Sequence, residues 1–475
     1  MQKLIHDRIL QISGLDVDVS QVDDKDFKDV IQRCLIDLPV SERDRLKPYF
    51  LINTKQVAID QCNFFNSFED LEVVSKDSAS NSWIFTGGLG LGAKYSLVPY
   101  AFCALKMTFE PLKSELLNVD NSLQIERDIY RKVVNALILC GFTPHVVVYY
   151  GTLHCDQFQK SIKEARKSRK ELKNALKNIV KQVNTLSLNV ERMRAVVTEG
   201  LSTGKYQQYI SEELDFQSQL IILFQVFYTM AVFAQVGLVH NDLHTGNVFI
   251  DLIEKPLRNR YLITDNDKKV FVYELESKYQ ARLYDFDRSE KISMFGDLTL
   301  ETAIHNNRLL PGDACIRFGY CPVLNERSEV YAFCASAYEH NNPEPKNPDD
   351  PKLPPINAEL NQFLEKIVPL ELLKRPFRKP ESVEDDIVVG ETLSFKYRLC
   401  TCNEPNCATC TVIQNTPIKT PREILAMPEF DQFKVPAEPV GKVDDVFTWS
   451  MPSDSNNSKL AKWRAPSQAA SLQQQ

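Results

Sequence analysis

The apolar run from Leu220 to Val239, LIILFQVFYTMAVFAQVGLV, constrains the fold of this chain more than any other feature. It is about as long as the ~20 residues that a helix needs to cross a bilayer. However, Gln225, Thr229 and Gln235 interrupt the run, and no cluster of basic residues flanks it. A helix that is apolar all round is otherwise buried in a large domain. The sequence therefore predicts a buried core helix and no transmembrane segment.

The composition indicates a globular protein that works inside the cell. The 475 residues are 43% apolar and 25% charged, which suits two or three structural units. The net charge of −7 gives no overall attraction to nucleic acid, and no specific nucleic-acid motif is present. Residues 1–20 lack the continuous apolar stretch of a secretory signal. Most of the 12 cysteines are scattered singly, which favours the reducing cytoplasm.

A polar loop, His-Asn-Asp-Leu-His-Thr-Gly-Asn over residues 240–247, directly follows the apolar run and precedes another apolar segment. Asp242 and Asn247 can converge on one reacting site, because a carboxylate can accept a proton from a hydroxyl and an amide oxygen can bind a hard cation. Asp285 ends a further predicted strand and suits Mg²⁺. We expect His240 to be structural, whereas His244 suits a phosphate contact and a role as a structural hydrogen-bond donor equally well.

Candidate phosphate-binding groups lie upstream of this loop. Gly88, Gly90 and Gly92 fall between two predicted strands, where backbone N–H groups can approach phosphates without obstruction by side chains. Lys106 lies on the next predicted strand and could reach phosphate oxygens as a point charge. Glu126, on the predicted helix that follows, could pair with Lys106 and hold it in position.

These elements, in this order, resemble the signature set of the protein kinase family over residues 80–375: a glycine loop, Ala-x-Lys, a helical Glu, His-x-Asp-x-x-x-x-Asn and Asp-Phe-x. The sequence is similar in particular to the divergent serine/threonine kinases of large cytoplasmic DNA viruses. The resemblance implies a bilobal α+β kinase-like fold, with an antiparallel-sheet N-lobe and a mainly helical C-lobe. It also implies ATP and Mg²⁺ as cofactors, protein hydroxyls as acceptors, and a location in the host cytoplasm or the virion.

The same resemblance assigns roles to individual residues. Lys106 would contact the nucleotide phosphates and Glu126 would anchor it, while Asp242 would be the catalytic base. Asn247 and Asp285 would hold Mg²⁺. The remaining nucleotide contacts would come from the glycine loop, the hinge at residues 198–200 and nearby positions, namely Gly88, Gly90, Gly92, Ala104, Glu199 and His244.

Five departures from the kinase pattern leave alternatives open. The glycine loop is one residue tighter than usual, Asn241 replaces an Arg, His244 replaces a Lys, Asp287 replaces a Gly, and no Ala-Pro-Glu follows. A catalytically weak pseudokinase that serves as a scaffold would fit these changes. The loop His-x-Asp-Leu-His-x-Gly-Asn at 240–247 also resembles that of small-molecule kinases of the aminoglycoside and choline phosphotransferase type, and the pair Gly246-Asn247 favours them. Against that alternative stand Ala-Leu-Lys at 104–106 and the acidic residue at 126.

The domain organisation predicted from the sequence has five parts. They are a helical N-terminal extension (1–79), a kinase N-lobe (80–199) with a basic helical insertion (156–185), a C-lobe (200–380) with an inserted hairpin (251–280), a cysteine-containing module (381–440) and a disordered tail (441–475). The predicted helix 160–181 carries nine Lys or Arg against two Glu, so it is either a solvated helix or binds an acidic partner. Four thiols could bind a structural Zn²⁺ or remain free or redox-active: Cys400, Cys402, Cys407 and Cys410.

Overall fold

The structure of the protein is a computed structural model that forms two compact units. The first unit comprises Met1–Gly141 and Val147–Ser202, and the second comprises Phe142–Val146 and Thr203–Gln475. The structure describes residues 40–53, 55, 57–76, 82–91, 100–111, 126–139, 141–186, 188–201, 204–212, 214–240, 242–264, 270–287, 289–291, 326–343, 353–374, 417–436 and 445–449.

A five-stranded antiparallel sheet, in the order β1-β2-β3-β5-β4, forms the centre of the first unit. Alternate residues of its central strand, from Cys103 to Phe109, are buried on one face, as the period of two in a strand requires. This sheet confirms the antiparallel sheet that the sequence predicted. Its strands are β1 (Phe68–Lys76), β2 (Ser82–Gly90), β3 (Tyr100–Pro111), β4 (Tyr149–Cys155) and β5 (Leu188–Glu199).

Two sequence predictions about this sheet are wrong. Strand β1 lies where a helical extension was predicted, and it pairs with β2 along most of its length. The first glycines of the predicted loop lie inside β2 instead, where Gly88 pairs with Phe102 and Gly90 pairs with Tyr100. The predicted strand at 94–98 and Gly92 lie outside the described residues.

Helices pack on this sheet and lie in the connections between its strands. The predicted basic helix 160–181 is two helices, separated by a short 3₁₀ turn at Lys170–Leu172. The predicted helix that carries Glu126 is present and contains a π-helical turn at Tyr130–Val134. The helices of the first unit are α1 (Val40–Asn53), α2 (126–139), α3 (Phe158–Ser168) and α4 (Lys173–Thr185).

A disulfide joins Cys62, which lies before β1, to Cys155 at the end of β4. The scattered cysteines led us to predict a reducing environment, and that prediction did not anticipate this bond. Cys103 and Cys334 are free and buried, and burial raises the pKa of both thiols. A buried thiol of this kind stays protonated and unreactive.

The second unit combines helices with a four-stranded sheet in the order β10-β8-β7-β11. The sequence predicted a mainly helical lobe here, so the extent of this sheet is a difference from that prediction. The strands of this sheet are β7 (Val248–Thr264), β8 (Val270–Leu283), β10 (Lys434–Val435) and β11 (Asp445–Trp449). Two further strands, β6 (Leu238–Val239) and β9 (Glu290–Lys291), pair with each other in a separate antiparallel sheet. The helices of the second unit are α5 (Tyr206–Ser211), α6 (Phe216–Val236), α7 (Glu326–Asn341), α8 (Ala358–Ile367), α9 (Leu370–Leu373) and α10 (Pro421–Leu425).

Helix α6 is the apolar helix predicted from the sequence. It is long and apolar enough to cross a membrane, but 78% of its most apolar window is buried within the protein. The polar residues that interrupt the run are satisfied inside the fold. Gln225 bonds the backbone of β8 at Tyr279 O (3.0 Å) and Ala281 N (2.7 Å), and the hydroxyl of Thr229 lies 2.9 Å from that of Thr143. The burial confirms a core helix.

The inserted hairpin predicted at 251–280 is confirmed and is longer than predicted. Strands β7 and β8 pair antiparallel up to Thr264 and Val270, on either side of the predicted turn. The C-terminal predictions are wrong in part. Strand β11 pairs in parallel with β7 within the segment predicted to be disordered, and the hydroxyl of Tyr273 donates to Leu425 O (3.0 Å) within the predicted cysteine module.

Candidate functional site

Lys106 and Glu126 form the ion pair that the sequence predicted. Lys106 lies in the middle of β3, opposite Ile84 on β2 and Val196 on β5. Its Nζ is 3.1 Å from Oε2 of Glu126 at the start of α2, and the side chain of Glu126 is only 3% exposed. Strands on both sides fix the backbone of the lysine, and the buried carboxylate fixes its ammonium group. The Lys106 ammonium group is therefore held at a defined position of the first unit.

Strand β5 ends within residues 198–200, the segment that the resemblance assigns to the hinge. Gly200 is required there, because a Cβ at this position would lie 2.7 Å from the Phe102 ring and 2.8 Å from the Cys103 backbone. Both carboxylate oxygens of Glu199 accept hydrogen bonds from Arg45 of α1. The Glu199 side chain is thus engaged within the protein, and its backbone N–H donates to Val148 O (2.8 Å).

The glycines of the predicted loop and Ala104 lie against neighbouring strands of the sheet. A Cβ on Gly87 would lie 2.9 Å from Glu69 O, whereas Gly88 and Gly90 have room for one. Gly87 is therefore required by the approach of β1. Ala104 pairs with Thr86 on one side and with Thr198 on the other, so it lies within the sheet two residues from Lys106.

In the second unit the polar loop connects β6 to β7 through a 3₁₀ turn at Thr245–Asn247. The amide nitrogen of Asn247 donates to the backbone oxygen of Asp242 (2.9 Å). This bond spans the loop and fixes the orientation of the amide, so that the Asn247 side-chain oxygen points away from the bonded nitrogen. Asp242 is 8% exposed.

Three hydrogen bonds attach this loop to the segment that contains Asp285. Tyr284 N donates to Asn247 O (3.2 Å), and the Tyr284 hydroxyl donates to Gly246 O (2.8 Å). The buried His240 bonds Tyr284 O through Nε2 (2.9 Å). Because Tyr284 immediately precedes Asp285, these bonds bring Asp242, Asn247 and Asp285 onto adjoining backbone segments.

His240 is structural, as the sequence predicted. Its Nε2 must carry a proton to bond the Tyr284 carbonyl, and its ring packs 4.8 Å from that of Phe286. Burial lowers the pKa of His240, so the neutral form is favoured. A neutral imidazole that donates to a carbonyl positions the backbone next to Asp285, and its one proton is used in that hydrogen bond.

His244 caps the 3₁₀ turn, with Nδ1 accepting a hydrogen bond from Gly246 N (3.1 Å). This geometry supports the structural alternative, although as an acceptor and not as the donor that was expected. It also explains Gly246, because a Cβ there would lie 2.7 Å from the His244 ring. Helix α7 supports the same loop, since the hydroxyls of Thr245 and Ser336 lie 2.7 Å apart.

Asp285 has a backbone φ of 68°, in the left-handed region that few residues other than glycine adopt. Residues held in this conformation cluster at active sites, where surrounding contacts impose it. Here the hydrogen bonds of Tyr284 on one side and the buried Phe286 on the other hold the backbone. The backbone conformation thereby sets the direction in which the half-buried Asp285 side chain leaves the chain.

The donor set of this loop suits Mg²⁺. Asn247 and Asp285 offer an amide oxygen and a carboxylate, the hard oxygen ligands that Mg²⁺ takes alongside water and substrate phosphates. Among the described residues, no group of three or more His, Cys, Asp or Glu could enclose a metal. The four thiols predicted to bind zinc, Cys400 to Cys410, lie outside the described residues.

Lys205 is a residue that the sequence analysis missed. Its Nζ lies 5.7 Å from the ring centre of Tyr284 and 6.0 Å from that of Phe249, within cation–π range. Tyr284 directly precedes Asp285, and Phe249 lies two residues after Asn247. The only sequence signal was a lysine beside a glycine after the predicted hinge, which by itself indicates nothing.

Comparisons with known proteins assign no family to this chain. No protein-family model matches it, and no curated protein matches its sequence. What can be said of function therefore depends on the site geometry and on the motif order in the sequence.

Proposed function

We propose that this protein is an ATP- and Mg²⁺-dependent phosphotransferase that transfers the γ-phosphate of ATP to Ser and Thr hydroxyls of proteins. One observation carries the proposal. The hydrogen bond from Tyr284 N to Asn247 O joins the loop of Asp242 to the strand end of Asp285, so a candidate base and two candidate metal ligands share one backbone framework. Phosphoryl transfer needs little more from a protein than alignment and charge stabilisation.

Each residue has a defined task in this mechanism. Asp242 would accept a hydrogen bond from the acceptor hydroxyl and take its proton as the oxygen attacks phosphorus. Lys106, held by Glu126, would neutralise charge on the nucleotide phosphates. Bound Mg²⁺ would supply further charge stabilisation, and Asn247 with Asp285 would hold it.

The small-molecule kinase alternative is less well supported. It was motivated by the loop at 240–247, and within that loop by the pair Gly246-Asn247. The glycine is explained by its contact with the His244 ring, a packing requirement that carries no information about the acceptor. The Lys106–Glu126 ion pair, which argued for protein kinases, is present.

The test is an acceptor assay with the full chain, Mg²⁺ and γ-labelled ATP, offering mixed proteins, choline and an aminoglycoside. We expect label on protein Ser and Thr. Asp242→Asn should lower turnover by about 10²- to 10⁴-fold, the usual contribution of acid–base catalysis, while ATP binding persists. Asp44→Asn, an exposed change on α1, is the matched control and should leave turnover unchanged.

Three outcomes would contradict the proposal. Label on choline or the aminoglycoside alone would identify a small-molecule kinase. ATP binding without transfer to any acceptor would favour the scaffold alternative. Undiminished turnover in Asp242→Asn would remove Asp242 from the mechanism.

A further inference from the structure

Helices α3 and α4, inserted between β4 and β5, carry a strongly basic surface. We define the lysine face as the seven exposed lysines of these helices and of the turn between them: Lys160, Lys163, Lys167, Lys170, Lys173, Lys177 and Lys181. It belongs to a segment with nine Lys or Arg against two Glu, in a chain whose net charge is −7. The charge of this segment is therefore opposite to that of the protein as a whole.

The opposite side of both helices is firmly packed. The ring of Phe158 stacks on that of Phe64, and Leu176 and Ile179 are buried. The indole nitrogen of Trp83 on β2 donates to Gln182 of α4 (2.8 Å). Because both helices are anchored to the sheet, the lysine face is held in a defined arrangement.

The arrangement of charges is unfavourable for a helix that serves only as structure. Helix α4 contains no Asp or Glu, and its exposed surface consists of lysines, asparagines and a threonine. Lys173, Lys177 and Lys181 are spaced four residues apart, so they form one row of like charges that repel each other. Within the described part of the chain, none of the lysine-face side chains forms an ion pair or a hydrogen bond. A bound anionic partner would compensate this charge.

The chemistry of the face selects among anionic partners. No aromatic side chain is exposed on either helix, so the face lacks the stacking surface that single-stranded nucleic acids use and the apolar face of an amphipathic membrane-bound helix. Asn174 and Asn178 lie beside the lysine row and are also exposed. An amide both donates and accepts, so it can pair with the N–H and C=O groups of a peptide backbone, whereas phosphates only accept.

We propose that the lysine face docks Asp- and Glu-rich segments of partner proteins, and that these partners are the substrates of the phosphotransferase. The binding step stands on the lysine face alone, and the identification of the partner as a substrate rests on the proposed function. Docking at such a face would recruit a substrate through a segment separate from its acceptor hydroxyl.

The test measures binding of a fluorescent Asp/Glu-rich peptide to the full chain by anisotropy, without ATP. The triple change Lys173→Gln, Lys177→Gln and Lys181→Gln should weaken binding about tenfold, since three exposed ion pairs are lost. The matched control changes three exposed lysines of the second unit, Lys255, Lys278 and Lys374, to Gln and should leave binding unchanged. In the unaltered protein, binding should weaken as ionic strength rises. This measurement keeps the test valid if the triple variant fails to fold.

The comparators decide between partner classes. Tighter binding of duplex DNA or of phosphatidylserine vesicles than of the peptide would overturn the proposal, as would equal loss in both triple variants or binding that is insensitive to salt. Asp242→Asn should bind the peptide normally. If phosphotransfer fails while the peptide still binds at the lysine face, the proposed function is wrong and docking stands. If transfer proceeds without peptide binding, only the docking proposal is wrong.

Discussion

The guanidinium of Arg45 binds both carboxylate oxygens of Glu199, with Nε–Oε1 and Nη2–Oε2 distances of 2.6 Å each. Glu199 Oε2 also accepts a hydrogen bond from Val148 N (3.2 Å), and Arg45 contacts Glu42 on its own helix. Helix α1 is thereby attached to the end of β5, the segment that the resemblance assigns to the hinge. This contact gives a structural role to a segment for which the sequence suggested none.

Arg45→Ala should destabilise the first unit by about 3 kcal/mol, because Glu199 and Glu42 would remain largely buried without their partner. Chemical denaturation with a probe in the first unit measures the loss. Lys47→Ala, a half-exposed change on the same helix, should have little effect. If Arg45→Ala destabilises the first unit no more than Lys47→Ala does, the ion pair does not stabilise the position of β5. If the pair acts as a unit, adding Glu199→Gln to Arg45→Ala should cost little more.

Local sequence patterns predicted the parts of this fold that depend on neighbouring residues. The continuous apolar run predicted helix α6, and two apolar runs around a polar turn predicted the hairpin of β7 and β8. Strand β11 was missed because a strand of five residues is stabilised by its partner, and it pairs with β7 almost 200 residues away. The Lys106–Glu126 ion pair was predicted through the order of motifs. The Arg45–Glu199 pair, at a separation of 154 residues, had no such order to reveal it.

Two substitutions of Asp285 separate the role of its left-handed backbone conformation from the role of its charge. Asp285→Asn should keep the stability of the second unit, because Asn tolerates a positive φ, but should raise the Mg²⁺ concentration that phosphotransfer requires. Asp285→Val should in addition lower stability by about 2 kcal/mol, since a β-branched residue is strained at this φ. Thermal denaturation and Mg²⁺ titration of the two variants separate the effects. Equal stability of both variants would contradict the assigned strain.

The Cys62–Cys155 disulfide should contribute about 2–5 kcal/mol to the first unit, because it closes a loop with a sequence separation of 93 residues. Cys62→Ser should therefore unfold at lower denaturant than the unaltered protein under oxidising conditions. In reducing buffer the two proteins should unfold together, which provides the internal control. A difference that persists in reductant would mean that the cysteine acts through packing. Mass spectrometry of unreduced peptides identifies the bond directly.

His240 should make the second unit sensitive to acid. Burial lowers its pKa in the folded state below the ordinary value of 6.5, so below that pH the unfolded chain binds the proton and the folded chain does not. The contribution of His240 is therefore fully present above pH 6.5 and is lost as the pH falls towards the folded pKa. The free energy of unfolding, measured by denaturant titration across this range, should decline less steeply in His240→Gln, which does not titrate there. An unchanged slope in His240→Gln would mean that the pKa of His240 is the same in the folded and the unfolded protein, which would contradict its assignment as a buried neutral imidazole.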